Sequence, residues 1–315
     1  MDSVPRDALT NIVRQAAPGV GKPLRFEPIT TGKFNTSYAV SGPGVELVAR
    51  VAPHDDETFL FYERHMMWQE PGLHQRLREE TDAPVPEVVA FDDSRRFIDR
   101  DVILMERLPG MPMTDAPADL DSAHVFREIG RILAEVHRVT EDRYGYVGPH
   151  RPMEPQPDWP SAFNVMWNKL VDDIAATGVY DASVAARMRE TLDRHLEIFD
   201  RPVDASLLHM DVWHQNILVD RFGQVTGLLD WDRALYGDPE IEFAVLDYCG
   251  VSVPEFWQGY GMERDTSRPA RIRQLFYLLY EVQKYIVIRA GRQDDLASAQ
   301  RYAQQSLRLA EPLMA

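Results

Sequence analysis

Several features that mark particular classes of protein are scarce in this sequence. Its one cysteine, Cys249, has no partner for an intramolecular disulfide bond, and residues 1–5 lack the basic and then apolar pattern of a secretory signal. The most apolar stretch, 275–288, is interrupted by polar and charged side chains, so it falls short of the ~20 apolar residues that cross a bilayer. We therefore expect a cytoplasmic protein without a membrane span.

An excess of positive charge is also missing. The 315 residues include 34 basic and 50 acidic side chains, which give a formal net charge of −16. Nucleic-acid binders usually present a basic surface, and this balance repels phosphates, so we expect no nucleic-acid partner. The remaining composition, 44% hydrophobic and 27% charged, is that of a globular protein, and the length allows two lobes with separate cores.

The order of predicted elements separates two lobes. Short β-type runs in the first third predict a small antiparallel sheet with one main helix, at 63–80. A breaker at Pro109 follows, and beyond it the apolar residues recur at helical spacing. We therefore predict an α+β fold with lobes at 1–108 and 109–315. The predicted strands are 24–29, 36–40, 46–51, 87–91 and 102–105, the later helices are 125–136, 163–176, 183–199 and 272–290, and a hairpin pairs 217–219 with 225–229.

The residues with the clearest chemistry flank that hairpin. Asp211 and Asn216 precede it, and Asp230 follows it. Hard oxygen ligands of this kind suit Mg²⁺, which usually takes only one or two protein carboxylates beside nucleotide phosphates. A remaining carboxylate can orient a hydroxyl group, so the three residues predict phosphoryl transfer.

The order and spacing of these residues resemble the aminoglycoside phosphotransferase family, which has the two-lobed protein-kinase-like fold. The segment His209-x-Asp211-x-x-x-x-Asn216 resembles the catalytic loop of that family, and the segment starting at Asp230 resembles its metal-binding segment. The resemblance implies that Asp211 is the catalytic residue, that Asn216 and Asp230 bind Mg²⁺, and that ATP is the phosphoryl donor. It also implies a small antiparallel β N-terminal lobe and a larger, mainly α C-terminal lobe that binds the acceptor.

The resemblance extends into the first lobe and covers roughly 24–290. It implies a nucleotide site built from a phosphate-covering loop at 31–38, a basic residue on the third strand with a partner on the helix, and an adenine hinge. The residues implied to bind the nucleotide are Gly32, Asn35, Thr36, Arg50, Glu70, Glu106 and Leu108. Arg50 stands where protein kinases have lysine, and without the fold analogy Arg50 and Glu70 could equally be a surface ion pair.

The sequence leaves two other functions open. A metallohydrolase could use His209, Asp211 and His214 as ligands, although the sequence has no His-Glu-x-x-His helix pattern. A kinase-fold protein could also bind nucleotide without catalysis, but the presence of Asp211, Asn216 and Asp230 argues against this.

Ordinary structural roles are expected for the neighbouring residues. His209 should brace the catalytic loop through hydrogen bonds. Asp232 and Asp238 should bond to nearby backbone and cap the helix that follows Pro239. Glu242 should affect packing only.

The acceptor is expected to be a hydroxyl-bearing small molecule. The family resemblance admits antibiotics such as aminoglycosides or macrolides, which would imply a role in antibiotic resistance, and also metabolite alcohols. Segment 207–232 has no Lys or Arg except Arg221. Because an anionic acceptor would then be repelled by Asp211 and Asp230, we expect an uncharged or cationic acceptor.

We predict that Asp211→Ala lowers turnover by about 10²–10⁴, the usual contribution of a positioned general base. Nucleotide affinity should stay close to that of the wild type, because the implied hinge and metal ligands are other residues. Steady-state kinetics together with nucleotide titration will check both parts. Wild-type turnover in the variant would exclude a catalytic role for Asp211.

Overall fold

The first third of the chain folds around a five-stranded antiparallel sheet. The computed structural model describes residues 4–21, 23–32, 34–54 and 58–314. The strands are β1 Arg25–Ile29, β2 Thr36–Gly42, β3 Val45–Val51, β4 Val88–Asp92 and β5 Val102–Glu106, in the spatial order β1-β2-β3-β5-β4. The five predicted strands therefore exist, with ends that differ by one or two residues. Lys33, in the predicted phosphate-covering loop, lies outside the described residues.

Helix α1, Arg6–Ala16, covers one face of this sheet. Its buried residues Leu9, Ile12 and Val13 recur at helical spacing, so they form one apolar stripe. The stripe packs in a single hydrophobic cluster with alternate residues of β2 and β3, such as Val40 and Leu47. Burial of this face holds the sheet as a separate small core.

Helix α2, Glu70–Glu80, is shorter than the helix predicted at 63–80. A 3₁₀ turn at Met66–Gln69 precedes it, and His65 has a φ of 58°, in the left-handed region that interrupts a helix. Residues 61–65 form turns instead, and Leu60 and Tyr62 are buried in the core of the helical part of the protein. The prediction failed because burial in the other lobe, rather than local helix propensity, decides this segment.

The rest of the chain is mainly helical. The helices are α3 Ser122–Val136, α4 Trp159–Ala176, α5 Ala182–Asp193, α6 Pro239–Tyr248, α7 Pro254–Tyr260, α8 Arg268–Val287 and α9 Leu296–Met314. Several of them begin at an Asp or Ser whose side chain accepts a backbone N–H of the first turn, as expected for N-caps: Asp121, Asp158, Asp181, Asp238 and Ser267. No helix in the described residues is long and apolar enough to cross a membrane.

Two small three-stranded sheets lie among these helices. Their strands are β6 Met111–Pro112, β7 Thr140–Glu141, β8 Ala205–Leu208, β9 Ile217–Val219, β10 Val225–Leu228 and β11 Leu235–Gly237. One sheet has the order β10-β9-β6 and the other β11-β8-β7. The predicted hairpin is thus confirmed as β9 and β10. Two loops, 209–216 and 229–234, connect one sheet to the other, so their side chains lie side by side.

Helices α3 and α7 approach each other at two glycines. A Cβ atom on Gly130 would lie 2.1 Å from the backbone oxygen of Phe256, and one on Gly259 would lie 1.8 Å from the backbone oxygen of Arg127. Real Cβ atoms do not approach backbone this closely, so the helix contact requires both glycines.

We predict that Gly130→Ala destabilises the protein by about 1–3 kcal/mol, the usual cost of overpacking a tight contact. Gly72→Ala is the matched control, because Gly72 is an exposed residue of α2 with nothing within 4 Å of an added Cβ atom. The control should be as stable as the wild type or slightly more stable. Thermal unfolding of the three proteins will test this, and equal stability of both variants would contradict the helix contact described above.

Candidate active site

The loop 209–216 holds the predicted catalytic residue. Met210 has a φ of 66°, and its backbone N–H donates a 2.6 Å hydrogen bond to Glu242 Oε1. The His209 ring is fully buried, with Nε2 2.9 Å from the backbone oxygen of Leu229 and Nδ1 accepting from the Asp211 N–H at 3.2 Å. His209 therefore braces the loop, as expected.

Glu242 does more than fill space, so the expectation for it was wrong. Its carboxylate has no solvent exposure, and Oε2 lies 2.7 Å from His137 Nε2. His137 Nδ1 in turn lies 2.7 Å from the Tyr260 hydroxyl. Burial raises the pKa of Glu242, but the hydrogen bond and charge of His137 lower it, with a net downward shift. An ionised Glu242 can thus hold the left-handed backbone at Met210.

The Asp211 carboxylate is held at both of its oxygens. Asn216 Nδ2 donates to Asp211 Oδ2 at 3.0 Å and to the Asp211 backbone oxygen at 2.9 Å. Arg233 Nη1 donates to Oδ1 at 2.8 Å. Burial alone raises the pKa of Asp211, but Arg233 and then Lys284 lower it, and the net shift is downward. The structure therefore presents an ionised carboxylate in a fixed orientation.

Arg233 and Lys284 were not predicted from the sequence as residues of the site. Arg233 lies one residue beyond the segment 207–232, and Lys284 lies on α8, far away in sequence. Segment 207–232 itself has no Lys or Arg except Arg221, but the fold brings Arg233 and Lys284 close to Asp211. Basic residues recur throughout the chain, so no sequence signal distinguishes these two. Because their charges offset that of Asp211, the expectation of an uncharged or cationic acceptor loses its electrostatic support.

The predicted pair of Arg50 and Glu70 is present and buried. Arg50 Nη1 lies 2.6 Å from Glu70 Oε2, and Glu70 has no solvent exposure. Arg50 Nη2 also bonds Asp230 Oδ1 at 2.5 Å and Asp232 Oδ2 at 3.0 Å. One guanidinium on β3 thus binds carboxylates from α2 and from the loop after β10, and the surface alternative for this pair is wrong.

Asp232 was expected to bond to local backbone, and this was wrong. Its side chain is 4% exposed and receives hydrogen bonds from Arg50 and, at 3.3 Å, from Asn35 Nδ2. Burial and the Asp230 charge raise the pKa of Asp232 well above its usual range, while Arg50 opposes this shift. Asp238 does cap α6, since its Oδ1 accepts from the Glu240 N–H at 3.0 Å.

Burial has a similar effect on Glu70. It raises the pKa of this carboxyl group to about 7, even though the Arg50 charge lowers it. The nearby ring of His74 lies with Nε2 3.6 Å from Glu70 Oε2 and Nδ1 2.9 Å from the backbone oxygen of Pro86. Burial lowers the pKa of His74 to about 4. Arg50 is therefore the cation that stabilises a charged Glu70.

The remaining residues implied to bind nucleotide lie at or near the ends of strands β2 and β5 of the first sheet. Gly32 and Asn35 are in the loop before β2, and Thr36 is the first residue of β2, paired with Val51 of β3. Glu106 ends β5, and its Oε2 accepts from the Glu87 N–H at 3.3 Å.

Leu108 follows Glu106 after one residue and contacts the second lobe. A Cβ atom built on Gly227 of β10 would lie 2.9 Å from Leu108 Cδ1. The segment after β5 therefore runs from the sheet onto the β9–β10 hairpin, as an inter-lobe hinge would.

The donor set around Asp230 fits a hard divalent cation. The Asp230 side chain is 38% exposed, whereas the other carboxylates bound to Arg50 are almost fully buried. Asn216 uses its Nδ2 atom for both hydrogen bonds to Asp211, so its carboxamide oxygen is the atom that could bind a cation. One exposed carboxylate and one carboxamide oxygen on adjacent loops match the sparse protein ligation typical of Mg²⁺.

The arrangement does not favour a metallohydrolase. Both ring nitrogens of His209 are engaged by backbone, and the ring of His214 packs edge-on against Phe126 with centroids 5.7 Å apart. Within the ranges described above, no group of three His, Cys, Asp or Glu side chains could hold a metal ion.

Comparisons with known proteins agree with this geometry. The sequence profile of the phosphotransferase enzyme family matches residues 25–273. A curated protein of Vibrio parahaemolyticus named "Probable ketoamine kinase" is 26% identical over 275 residues, which cover 84% of this chain and 86% of that protein. The hygromycin-B 4-O-kinase of Escherichia coli is 25% identical over 171 residues, which cover 51% of this chain and 46% of that protein.

A solved structure extends the similarity to the fold. A thermostable mutant of aminoglycoside phosphotransferase APH(4)-Ia, in a ternary complex with ADP and hygromycin B, matches with a TM-score of 0.67 at 19% identity. The match covers 96% of this chain and 99% of that chain. The predicted two-lobed kinase-like fold and the family resemblance are therefore confirmed.

We predict that Arg50→Met destabilises the protein by about 3–5 kcal/mol, because it leaves buried carboxylates without their cation. Arg107→Met is the matched control, since Arg107 forms an exposed ion pair with Glu46 at 3.4 Å. Removal of such a surface pair should change stability by less than about 1 kcal/mol. Urea denaturation will measure both variants, and a loss no larger in Arg50→Met than in the control would refute the importance of the buried network.

Proposed function

Since the chain belongs to the phosphotransferase enzyme family, we propose that it transfers the γ-phosphoryl group of ATP to a hydroxyl group of a small molecule. The observation that carries this proposal is that the Asp211 carboxylate is held at both oxygens in loop 209–216, while the adjacent loop 229–234 presents the exposed carboxylate of Asp230. Phosphoryl transfer needs one group that aligns the acceptor, here Asp211, and one that holds a cation to neutralise the phosphates, here Asp230. It needs little covalent chemistry by the protein.

The first lobe, 1–108, would bind the nucleotide. Gly32, Asn35 and Thr36 would cover the phosphates, and the segment from Glu106 to Leu108 would receive the adenine ring. Arg50 and Glu70 would form the basic position on β3 and its helix partner. The ADP in the ternary complex of the solved relative supports nucleotide binding in this fold.

The second lobe, 109–315, would hold the metal and the acceptor. Asn216 and Asp230 would bind Mg²⁺, which when bound neutralises phosphate charge. Asp211 would accept a hydrogen bond from the acceptor hydroxyl, orient its oxygen toward the phosphorus, and take its proton as transfer proceeds. Arg50 would add a positive charge near the phosphates if its contact with Asp230 exchanges for one with the nucleotide.

A ketoamine is the acceptor class that we place first. The ketoamine kinase relative matches 84% of this chain, whereas the hygromycin-B 4-O-kinase matches 51%. The second relative favours an antibiotic acceptor and a role in resistance as the second candidate. We place the reaction in the cytoplasm, where ATP is available.

An ATP-consumption assay will test this function. Purified protein would be incubated with ATP and Mg²⁺ plus deoxyfructosyl glycine as a ketoamine, hygromycin B, or no acceptor. We expect acceptor-dependent ADP formation that chelation with EDTA stops. Turnover with hygromycin B but not with the ketoamine would identify the antibiotic as the acceptor. A stoichiometric transition metal with no ATP turnover would support a hydrolase instead.

We predict that Asp230→Asn weakens Mg²⁺-dependent nucleotide binding by about tenfold or more and abolishes turnover, because it removes the charged ligand. Asn216→Ala should act in the same direction but less severely. The control is Asp119→Asn, at an exposed acidic residue outside the site. Nucleotide titration at several Mg²⁺ concentrations will measure this, and equal affinity in the wild type and Asp230→Asn would remove Asp230 from the metal site.

A further inference from the structure

We propose that Arg233 is a positioning residue for Asp211, and that Glu281 and Lys284 fix the place of its guanidinium. The inference rests on the proposed phosphoryl transfer, because it assigns a role beside the group that would align the acceptor. It concerns a residue that the motifs of the catalytic loop and metal-binding segment do not include.

The first observation is that the two oxygens of Asp211 are held from two different loops. Asn216, in the same loop as Asp211, binds Oδ2, and Arg233, in the loop between β10 and β11, binds Oδ1 at 2.8 Å. A carboxylate held at both oxygens cannot rotate about its terminal bond without losing one of these contacts. The second lone pair of each oxygen still allows an acceptor hydroxyl to donate.

The second observation is the geometry of the short turn that contains Arg233. A 3₁₀ turn spans Trp231–Arg233, with the Trp231 ring completely buried beneath it. Asp232 on this turn binds Arg50 of the first lobe, whereas Arg233 binds Asp211. Adjacent residues therefore connect the turn to the nucleotide side and to the acceptor side. The turn would set the position of Asp211 relative to the phosphates.

The third observation is that Arg233 has a second carboxylate partner, Glu281, which is also paired with Lys284. Arg233 is 8% exposed, and its Nη2 lies 3.4 Å from Glu281 Oε2. Lys284 Nζ lies 2.5 Å from the other carboxylate oxygen, Glu281 Oε1. Glu281 is therefore paired with both Lys284 and Arg233, and the Arg233 contact with Asp211, at 2.8 Å, is shorter than its contact with Glu281. The guanidinium also lies over the Tyr62 ring, with Cζ 5.6 Å from the ring centroid.

A substitution series at this residue tests the inference. Arg233→Met removes the charge and both ion pairs. Arg233→Lys keeps the charge but lacks the two Nη groups that bond Asp211 and Glu281, and Glu281→Gln removes the negative charge of the second partner. Arg221→Met is the matched control, because Arg221 is exposed on the β9–β10 turn and stacks on Phe222. Thermal unfolding will first establish that each variant is folded.

For Arg233→Met we expect kcat to fall about 10–100-fold at saturating ATP and acceptor, the loss typical of a misplaced reacting group. The KM for ATP should stay within about twofold of the wild type, since the nucleotide residues are unchanged. Arg233→Lys should recover part of kcat, Glu281→Gln should lower it less, and Arg221→Met should match the wild type. An unchanged or increased kcat in folded Arg233→Met would overturn the proposal, as would an equal loss in Arg221→Met.

Hydrogen exchange gives a readout that needs no acceptor. The Asp211 N–H bonds to His209 Nδ1 and the Asn216 N–H bonds to the Trp213 backbone oxygen, so these amides report on the loop. Their exchange should be faster in Arg233→Met than in the wild type and Arg221→Met. Unchanged exchange would overturn the positioning role even if the wild type phosphorylates no acceptor, whereas that lack of turnover would refute only the proposed function.

Discussion

The structure depends above all on the compensation of clustered carboxylates, two of them almost fully buried, by two arginines. Arg50 on the first sheet holds Glu70, Asp230 and Asp232, and Arg233 holds Asp211. Charged groups that leave water are costly unless an opposite charge and hydrogen bonds replace the solvent. In a chain with a formal net charge of −16, these two cations allow four acidic side chains to lie close together.

This compensation also connects the two parts of the protein. The Arg50 contacts run from the first sheet to the loop after β10, and the same loop contacts loop 209–216 through Arg233. Asp230 keeps a partly exposed carboxylate, whereas Asp232 is buried. Both acids bond Arg50 across the lobes, but only Asp230 also faces solvent, where it could bind a cation.

Backbone geometry contributes to the site as much as charge does. Met210 and Asp230 both have a positive φ, at 66° and 70°, in the two loops that carry the candidate catalytic and metal residues. Non-glycine residues adopt this conformation only where the surroundings hold it. Buried Glu242, bonded to the Met210 N–H, supplies that support on one side, which is why a residue expected only to pack takes part in forming the site.

The sequence by itself determined the α+β class, the five strands, the β9–β10 hairpin and the grouping of Asp211, Asn216 and Asp230, because each depends on local periodicity or short spacing. Tertiary structure alone decided three other features. The helix predicted from residue 63 begins at Glu70, since Leu60 and Tyr62 are buried in the second lobe. Asp232 turns to Arg50 and Arg233 to Asp211, because partners distant in sequence, rather than nearby backbone, satisfy buried charge.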